Sequence, residues 1–195
     1  STDNNWNQVC HGGLVMGALA ILEDEPELAQ KIIARAIANL PHAMDEYEPD
    51  GAYPEGPGYW QYGTTYNLLL ISALQSALGS DFGLAAAPGF MKSPEFYLHA
   101  TGPTGLFFNF SDCHARGGVS AAMYWFAAQR NDPSLLWNER DELEQFVKTQ
   151  TPDASGSAYR FLPFLLIWTK PPGTPTPPGQ LHWHGAGRTP VTMMR

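Results

Sequence analysis

Apolar residues recur at helical spacing along most of the chain, and this pattern predicts a mainly α-helical protein. A first helix is predicted over residues 6–22, with glycines that would let another helix approach closely. A second is predicted to begin at Asp24-Glu25-Pro26-Glu27 and to end or kink at Pro41. Residues 59–78 are apolar on most sides, which indicates a helix inside a multi-helix core, and Gly79 is placed to end it.

Shorter helices and one long ordered loop are predicted for the middle of the chain. The predicted helices cover residues 93–99, 117–129, 133–149 and 157–168. Pro163 is expected to kink the last of them, and residues 106–110 are predicted to be a short aromatic strand or extended segment. Residues 48–58 hold three prolines and three glycines, so we predict no helix there. Binding and catalytic residues concentrate in long ordered loops of this kind.

The chain turns to β-structure near its C-terminal end. Residues 171–178 contain five prolines and are predicted to be a rigid extended spacer. Over 180–185 apolar side chains alternate with His182 and His184, which is typical of a strand. The final apolar segment, 190–195, is predicted to be strand-like and to stop without a partner. Together these patterns predict an array of antiparallel helical hairpins with short β segments near the C-terminus.

The composition fits one compact core and argues against two classes of partner. Hydrophobic residues make up 44% of the 195 residues, which is enough to bury a core. The net charge of −8 argues against nucleic acid and anionic membranes, because both are bound by a basic face. No apolar run reaches the roughly 20 residues of a membrane span. The polar start, Ser1-Thr2-Asp3-Asn4-Asn5, indicates a processed chain or an excised fragment.

The cysteines and histidines do not form a recognisable metal motif. Cys10 and Cys113 permit at most one disulfide bond, and we expect two buried thiols with the disulfide as the alternative. His182 and His184 share one face of the predicted strand but lack a third ligand. The sequence therefore predicts no metal and no cofactor.

Two predicted helix starts carry an unusual density of amide and aromatic side chains. The first is Asn4-Asn5-Trp6-Asn7-Gln8, where Asn4 or Asn5 is expected to cap the helix, although a cap needs only one such residue. The second is Tyr53-Pro54-Glu55-Gly56-Pro57-Gly58-Tyr59-Trp60-Gln61-Tyr62. Rings that stack on sugar faces, with amides that bond hydroxyl groups, are typical of a carbohydrate site. A rigid loop with aromatic plugs is the alternative interpretation of the second motif.

These motifs, extended to residues 4–13 and 50–63, resemble the heparinase II/III-like polysaccharide lyases, and residues 73–79 and 108–112 are similar to later segments of that family. The resemblance covers nearly the whole chain. It implies a partial α/α toroid over 1–170, then a Pro-rich linker and the start of a truncated β-sandwich domain over 171–195. It also implies a periplasmic or secreted location. The implied partners are an acidic polysaccharide or oligosaccharide and the β-sandwich domain of the same polypeptide.

The resemblance implies β-elimination at a uronic acid. The substrate carboxylate must be neutralised before a base can remove the C5 proton. By resemblance Asn5 is the neutralising residue, with Asn7 as its backup. Tyr59 or Tyr62 transfers the proton, and their spacing of three puts both on similar helix faces. A tyrosine base needs its pKa lowered from about 10, usually by nearby positive charge.

The resemblance and the two motifs together imply a set of substrate-binding residues. They are Asn4, Trp6, Asn7, Tyr53, Glu55, Trp60, His114 and Arg116. Glu55 would orient a donor or a sugar hydroxyl. His114 is a candidate local substitute for a histidine that the family carries in its β-sandwich domain, and Asp112 is a candidate for the groove floor.

Two other functions stay open from the sequence. A glycoside hydrolase needs two carboxylates about 5–5.5 or 6.5–9.5 Å apart, for which Glu55 with Asp50 or Asp112 are the candidates. A non-catalytic carbohydrate-binding or structural fragment needs only the stacking surface. The polysaccharide lyase is the main prediction.

Overall fold

The computed structural model describes residues 3–149, 160–170 and 173–194, which form a mainly helical body with one small β-hairpin. Its α-helices are α1 (Asn5–Ala20), α2 (Pro26–Asn39), α3 (Pro41–Met44), α4 (Gly56–Leu78), α5 (Ser93–Ala100), α6 (Ala121–Arg130), α7 (Trp137–Thr149) and α8 (Leu162–Trp168). The strands β1 (His182–Gly185) and β2 (Val191–Met194) are antiparallel. The predicted class, mainly α with short β segments near the C-terminus, is confirmed. In the ranges described, no helix has the length and apolar character to cross a membrane.

α1 and α4 pack closely because glycines lie at their contact. A Cβ on Gly12 of α1 would be 2.7 Å from the Tyr66 carbonyl oxygen of α4. Gly63 of α4 in turn leaves room for the Gln8 side chain. The predicted role of the α1 glycines is thus confirmed for Gly12, whereas Gly13 faces open space. This contact brings the amide motif of α1 beside the aromatic motif of α4.

Proline and glycine set the ends of the N-terminal helices as predicted. α2 begins at Pro26 and ends at Asn39. Pro41 then opens the short α3, which runs into a 3-10 turn over Asp45–Tyr47. At the end of α4, Gly79 adopts the left-handed conformation with φ of 75°.

The predicted starts of α4 and α6 are wrong by a few residues. α4 begins at Gly56 instead of Tyr59, because Pro57 lies in the first turn, where its missing N–H costs nothing. α6 begins at Ala121 instead of Gly117, because the chain before it is not helical and Gly118 has φ of 67°. Both corrections concern loops that line the candidate site.

The other C-terminal helices agree with the predictions, apart from one proline. α5 begins at Ser93 with Pro94 in its first turn, and Pro133 opens a 3-10 turn that leads into α7. Pro163 lies in the first turn of α8, so the predicted kink is wrong. Residues 157–159 of that predicted helix lie outside the described residues. Within 106–110, Phe107 forms a single bridge to Thr101.

The last predicted strand has a partner, contrary to the prediction. β2 pairs with β1 and places Met194 opposite His182. Trp183 of β1 packs edge-on against Phe96 of α5, with ring centroids 5.7 Å apart. The two strand histidines are exposed on one face, as predicted. In the predicted spacer, residues 173–178 have no regular secondary structure, and Pro171 and Pro172 lie outside the described residues.

The turn of the hairpin is also fixed to the helical body. The Ala186 N–H donates to Asp50 Oδ2 at 2.7 Å, and the Arg188 guanidinium forms an ion pair with Glu46. Glu46 is almost fully buried, and burial raises the pKa of its carboxyl although Arg188 opposes the shift. The hairpin and the helices therefore share a polar contact as well as the Trp183 contact.

The cysteine expectation is partly wrong. Cys113 is buried but Cys10 is exposed, because the side of α1 that carries Cys10 faces solvent. Both thiols are free, so the alternative disulfide is not formed.

Candidate functional site

Two adjoining hollows lie beside the N-terminal half of α4, and together we call them the tyrosine cleft. Their volumes are about 190 and 270 Å³. Both are lined by Gly58, Gln61, Tyr62 and Gly117. The first also contains Thr65, Val119, Ala121 and Phe161, and the second Tyr59, Asp112, Cys113, His114 and Arg116. Four of the predicted site residues, Tyr59, Tyr62, His114 and Arg116, are thus brought together.

A folded loop between α5 and α6 brings His114 and Arg116 to the start of α4. Within this loop the Phe107 N–H donates to the Ala115 carbonyl at 2.9 Å and closes the segment 107–115. The Cys113 sulfur accepts the Gly58 N–H at 3.1 Å, which satisfies one of the free N–H groups at the start of α4. The loop therefore contacts the start of α4 through Cys113, the residue before His114.

Close packing against glycine shapes the other side of the cleft. A Cβ on Gly117 would be 2.7 Å from Gln61 Oε1, so only glycine fits at this position without a shift. The Gln61 amide in turn donates to the Val119 carbonyl at 3.2 Å. Gln61 and Gly117 therefore fix the distance between α4 and the segment that precedes α6.

The two tyrosines differ in their surroundings. Tyr59 is half-buried in the hollow that contains His114 and Arg116. Tyr62 is 38% exposed and packs edge-on against Tyr66, with ring centroids 5.4 Å apart. Partial burial raises the pKa of Tyr62 above its ordinary value, although the Arg160 cation opposes this shift. Tyr62 is therefore a weaker acid than an ordinary tyrosine.

Asn5 does not line the tyrosine cleft. It is 3% exposed, and its Nδ2 donates to Glu55 Oε2 at 2.7 Å. Asn5 also lies against Gly63, so it contacts α4 one turn before and one turn after Tyr59. Its donor group is occupied by Glu55, and Glu55 is likewise absent from the lining of both hollows.

Three further predicted substrate contacts lie in the interior and are corrected. Trp60 is fully buried and stacks on Tyr97 at 4.7 Å. Tyr53 is buried too, and its hydroxyl donates to Gln8 Oε1 at 3.2 Å. Asn7 is buried between α1 and α2, where its amide donates to the Asn39 carbonyl at 3.0 Å. Each is held by the core, so none is available to a ligand in the cleft.

The remaining motif residues lie at the surface. Asn4 caps α1, with its Oδ1 accepting the Trp6 N–H at 3.1 Å, which confirms the expected cap. Trp6 itself is exposed and does not line the cleft. The amide motif therefore starts and anchors α1, and its side chains are not part of the cleft lining.

Several residues that line the cleft were not predicted from the sequence. Gln61 stands between two predicted site residues, Trp60 and Tyr62, and is the amide of the second motif. Cys113 and Gly117 had no such signal, since both depend on a loop folding back onto α4. Phe161 of the cleft lining comes from a distant part of the sequence, and Arg160 beside it donates to the Tyr66 hydroxyl at 3.0 Å.

The carboxylates do not form the pair that a glycoside hydrolase needs. Among the described residues, Asp112 is the only carboxylate that lines the tyrosine cleft. Asp50 accepts the Ala186 N–H of the hairpin turn, and Glu55 accepts the Asn5 amide. Within the same part of the chain, no group of three or more His, Cys, Asp or Glu side chains could hold a metal ion.

Comparison with known proteins adds no relative. No protein-family model matches the chain, and no curated protein matches its sequence. The functional conclusion therefore rests on the chemistry of the tyrosine cleft.

Proposed function

We propose that this chain is the catalytic helical part of a polysaccharide lyase that cleaves a uronic-acid-containing polymer by β-elimination in the tyrosine cleft. The observation that carries the proposal is that Tyr59, Tyr62, His114 and Arg116 line one hollow. Phenols beside a cation and a further hydrogen-bond donor are what this elimination requires, because it needs both proton transfer and neutralisation of a carboxylate.

In this proposal Arg116 and His114 neutralise the substrate carboxylate in place of Asn5. An arginine fork can bind a carboxylate through two parallel hydrogen bonds. The start of α4 lies beside the same hollow, and the positive end of its dipole favours a bound anion. Asn5 instead orients Glu55 and holds α1 against α4.

The two tyrosines take different roles in the elimination. Tyr59 shares its hollow with Arg116 and His114 and accepts the C5 proton. The electrons of the broken C5–H bond form the C4–C5 double bond, and the C4–O bond to the leaving sugar breaks. Tyr62, which lines both hollows, gives its proton to the leaving oxygen.

The proposal includes the family and its architecture. Consecutive contacts of α1 with α2 and α4, of α4 with α6, and of α6 with α8 support a partial α/α toroid. The hairpin would then begin the β-sandwich domain of heparinase II/III-like lyases. Membership in that family would put the protein in the periplasm or outside the cell.

The test is an assay for the unsaturated uronate product, which absorbs ultraviolet light, over a panel of uronate polymers. We expect Tyr59→Phe and Tyr62→Phe each to lower kcat/KM by about 100-fold or more, since each removes a proton-transfer group. Ser76→Ala removes a hydroxyl group from an exposed position of the same helix and should stay within about twofold, because Ser76 does not line the cleft. Absence of product from every polymer in the panel would overturn the proposal.

A second candidate is carbohydrate binding without turnover. It is favoured by the Asn5 amide, which is bound to Glu55 and does not line the cleft. Binding of uronate oligosaccharides without unsaturated product would support this candidate. Loss of that binding in Arg116→Gln would place the sugar in the tyrosine cleft.

A further inference from the structure

A buried carboxylate supports the wall of the tyrosine cleft opposite α4. Gly117, Val119 and Ala121 of this wall line the cleft, and Ser120 between them is buried. The Ser120 N–H donates to Oε2 of Glu139 on α7 at 2.7 Å. We call residues 117–121 the cleft wall.

Glu139 lies in surroundings that disfavour its charged form. It is only 2% exposed. The groups that interact with it are the Tyr97 hydroxyl of α5, the Tyr124 hydroxyl of α6 and the Glu142 carboxylate of α7. None of these three groups is a cation that could stabilise an ionised Glu139. Burial, assisted by Glu142 and opposed by the Ser120 N–H, raises the pKa of Glu139 to about 8.

The cleft wall is built to move when this support changes. Gly118 has φ of 67° and open space around it, so the backbone can pivot at this residue, between Gly117, which packs against Phe107 and Gln61, and the buried Ser120. An ionised Glu139 gains free energy by reaching water, and it can do so only if the wall or α7 moves away.

We propose that Glu139 is a positioning residue whose protonated carboxyl holds Ser120 and keeps the cleft wall against α4, and that loss of its proton to solvent releases the wall. The effect on turnover rests on the proposed function, whereas the movement of the wall does not. The open cleft would lose the contact between Gln61 and Val119 that sets its width.

Amide hydrogen exchange of the cleft wall, corrected for intrinsic rates, tests the movement directly. The opening constant should rise by up to about tenfold per pH unit between about pH 5 and 8 and then level off, because the open form ionises first. Glu139→Gln keeps an acceptor for Ser120 but cannot ionise, so its opening constant should be independent of pH. A pH-dependent opening that persists unchanged in Glu139→Gln would overturn the proposal.

Two further variants keep the test decisive if Glu139→Gln does not fold. Glu142→Gln removes the neighbouring like charge, so the opening constant should level off at a lower pH. Glu144→Gln changes an exposed carboxylate on the same helix and should leave the profile as it is. Identical pH profiles of the opening constant in the wild type, Glu142→Gln and Glu144→Gln would also overturn the proposal.

Turnover separates this inference from the lyase proposal. If uronate polymers are cleaved, kcat/KM should fall toward pH 8 in the wild type relative to Glu139→Gln, which retains every other titratable group of the cleft. A wall that opens with pH in a protein that cleaves nothing would uphold the role of Glu139 in the wall and remove the lyase. Equal pH profiles of kcat/KM in both proteins would refute the coupling while leaving the lyase intact.

Discussion

Neighbouring residues of a helix point about 100° apart, so the run Tyr59-Trp60-Gln61-Tyr62 cannot face one surface. Trp60 turns into the aromatic core, while Tyr59, Gln61 and Tyr62 line the cleft. The sequence predicted that this motif carries aromatic side chains useful to a sugar site. The sequence alone could not predict which of these side chains would be buried in the core, because that depends on Tyr97 and Phe126 from other helices.

The amide motif shows the same dependence on distant partners. Asn5 and Gln8 look like free sugar-binding amides in the sequence. In the folded chain Asn5 binds Glu55 and Gln8 binds the hydroxyls of Tyr47 and Tyr53. Buried amides must find partners, and these partners lie 39 to 50 residues away along the chain. The spacing of residues within one motif therefore could not predict these partners.

Arg116 gives the sharpest residue-level prediction for the cleft. If it neutralises the substrate carboxylate, Arg116→Gln should lower kcat/KM on uronate polymers by about 100-fold, as for the loss of one preorganised donor. Steady-state kinetics of the unsaturated product measures the effect. Arg35→Gln, an exposed change on α2 with the same loss of charge, should stay within about twofold. Equal losses in both variants would point to net charge in place of a specific contact.

At the scale of elements, the α1–α4 contact decides where both motifs lie. Gly12 and Gly63 let the helices approach until Asn5 touches the turns around Tyr59. Helix patterns and proline positions predicted α1, α2 and α5 because the signals are local. The start of α6 was not predicted, because its Ser120 N–H is bound by Glu139, 19 residues later in the chain.

Alanine substitutions at two glycines test this contact. Gly63→Ala should lower the free energy of unfolding by about 1–3 kcal/mol, since its Cβ would meet the Gln8 side chain and lie 3.2 Å from Asn5 Cβ. Gly13→Ala is the matched control in α1, where the site is open, and should raise stability by up to about 1 kcal/mol. Urea denaturation measures both. Destabilisation by Gly13→Ala would show that the outer side of α1 is covered.

For the molecule as a whole, the question is whether the β-hairpin belongs to the helical body. The family resemblance implied that residues 171–195 are a Pro-rich linker and the start of a separate β-sandwich domain. The strands are joined by only five residues, 186–190, which include Gly187, so their pairing was a local hairpin signal that the prediction missed. In the structure the hairpin contacts α5 through Trp183 and the loop before α4 through the Asp50 hydrogen bond.

Removal of the Trp183 side chain distinguishes a docked hairpin from an independent one. Trp183 is half-buried against Phe96, so Trp183→Ala should lower the free energy of unfolding of the whole chain by about 2 kcal/mol, less than for a fully buried tryptophan. His182→Ala, on the exposed face of the same strand, should change it by no more than about 0.5 kcal/mol. One cooperative urea transition that shifts in Trp183→Ala alone is the expected result. If the urea midpoint of the helical transition is unchanged in Trp183→Ala, the hairpin folds independently of the helices and does not stabilise the cleft.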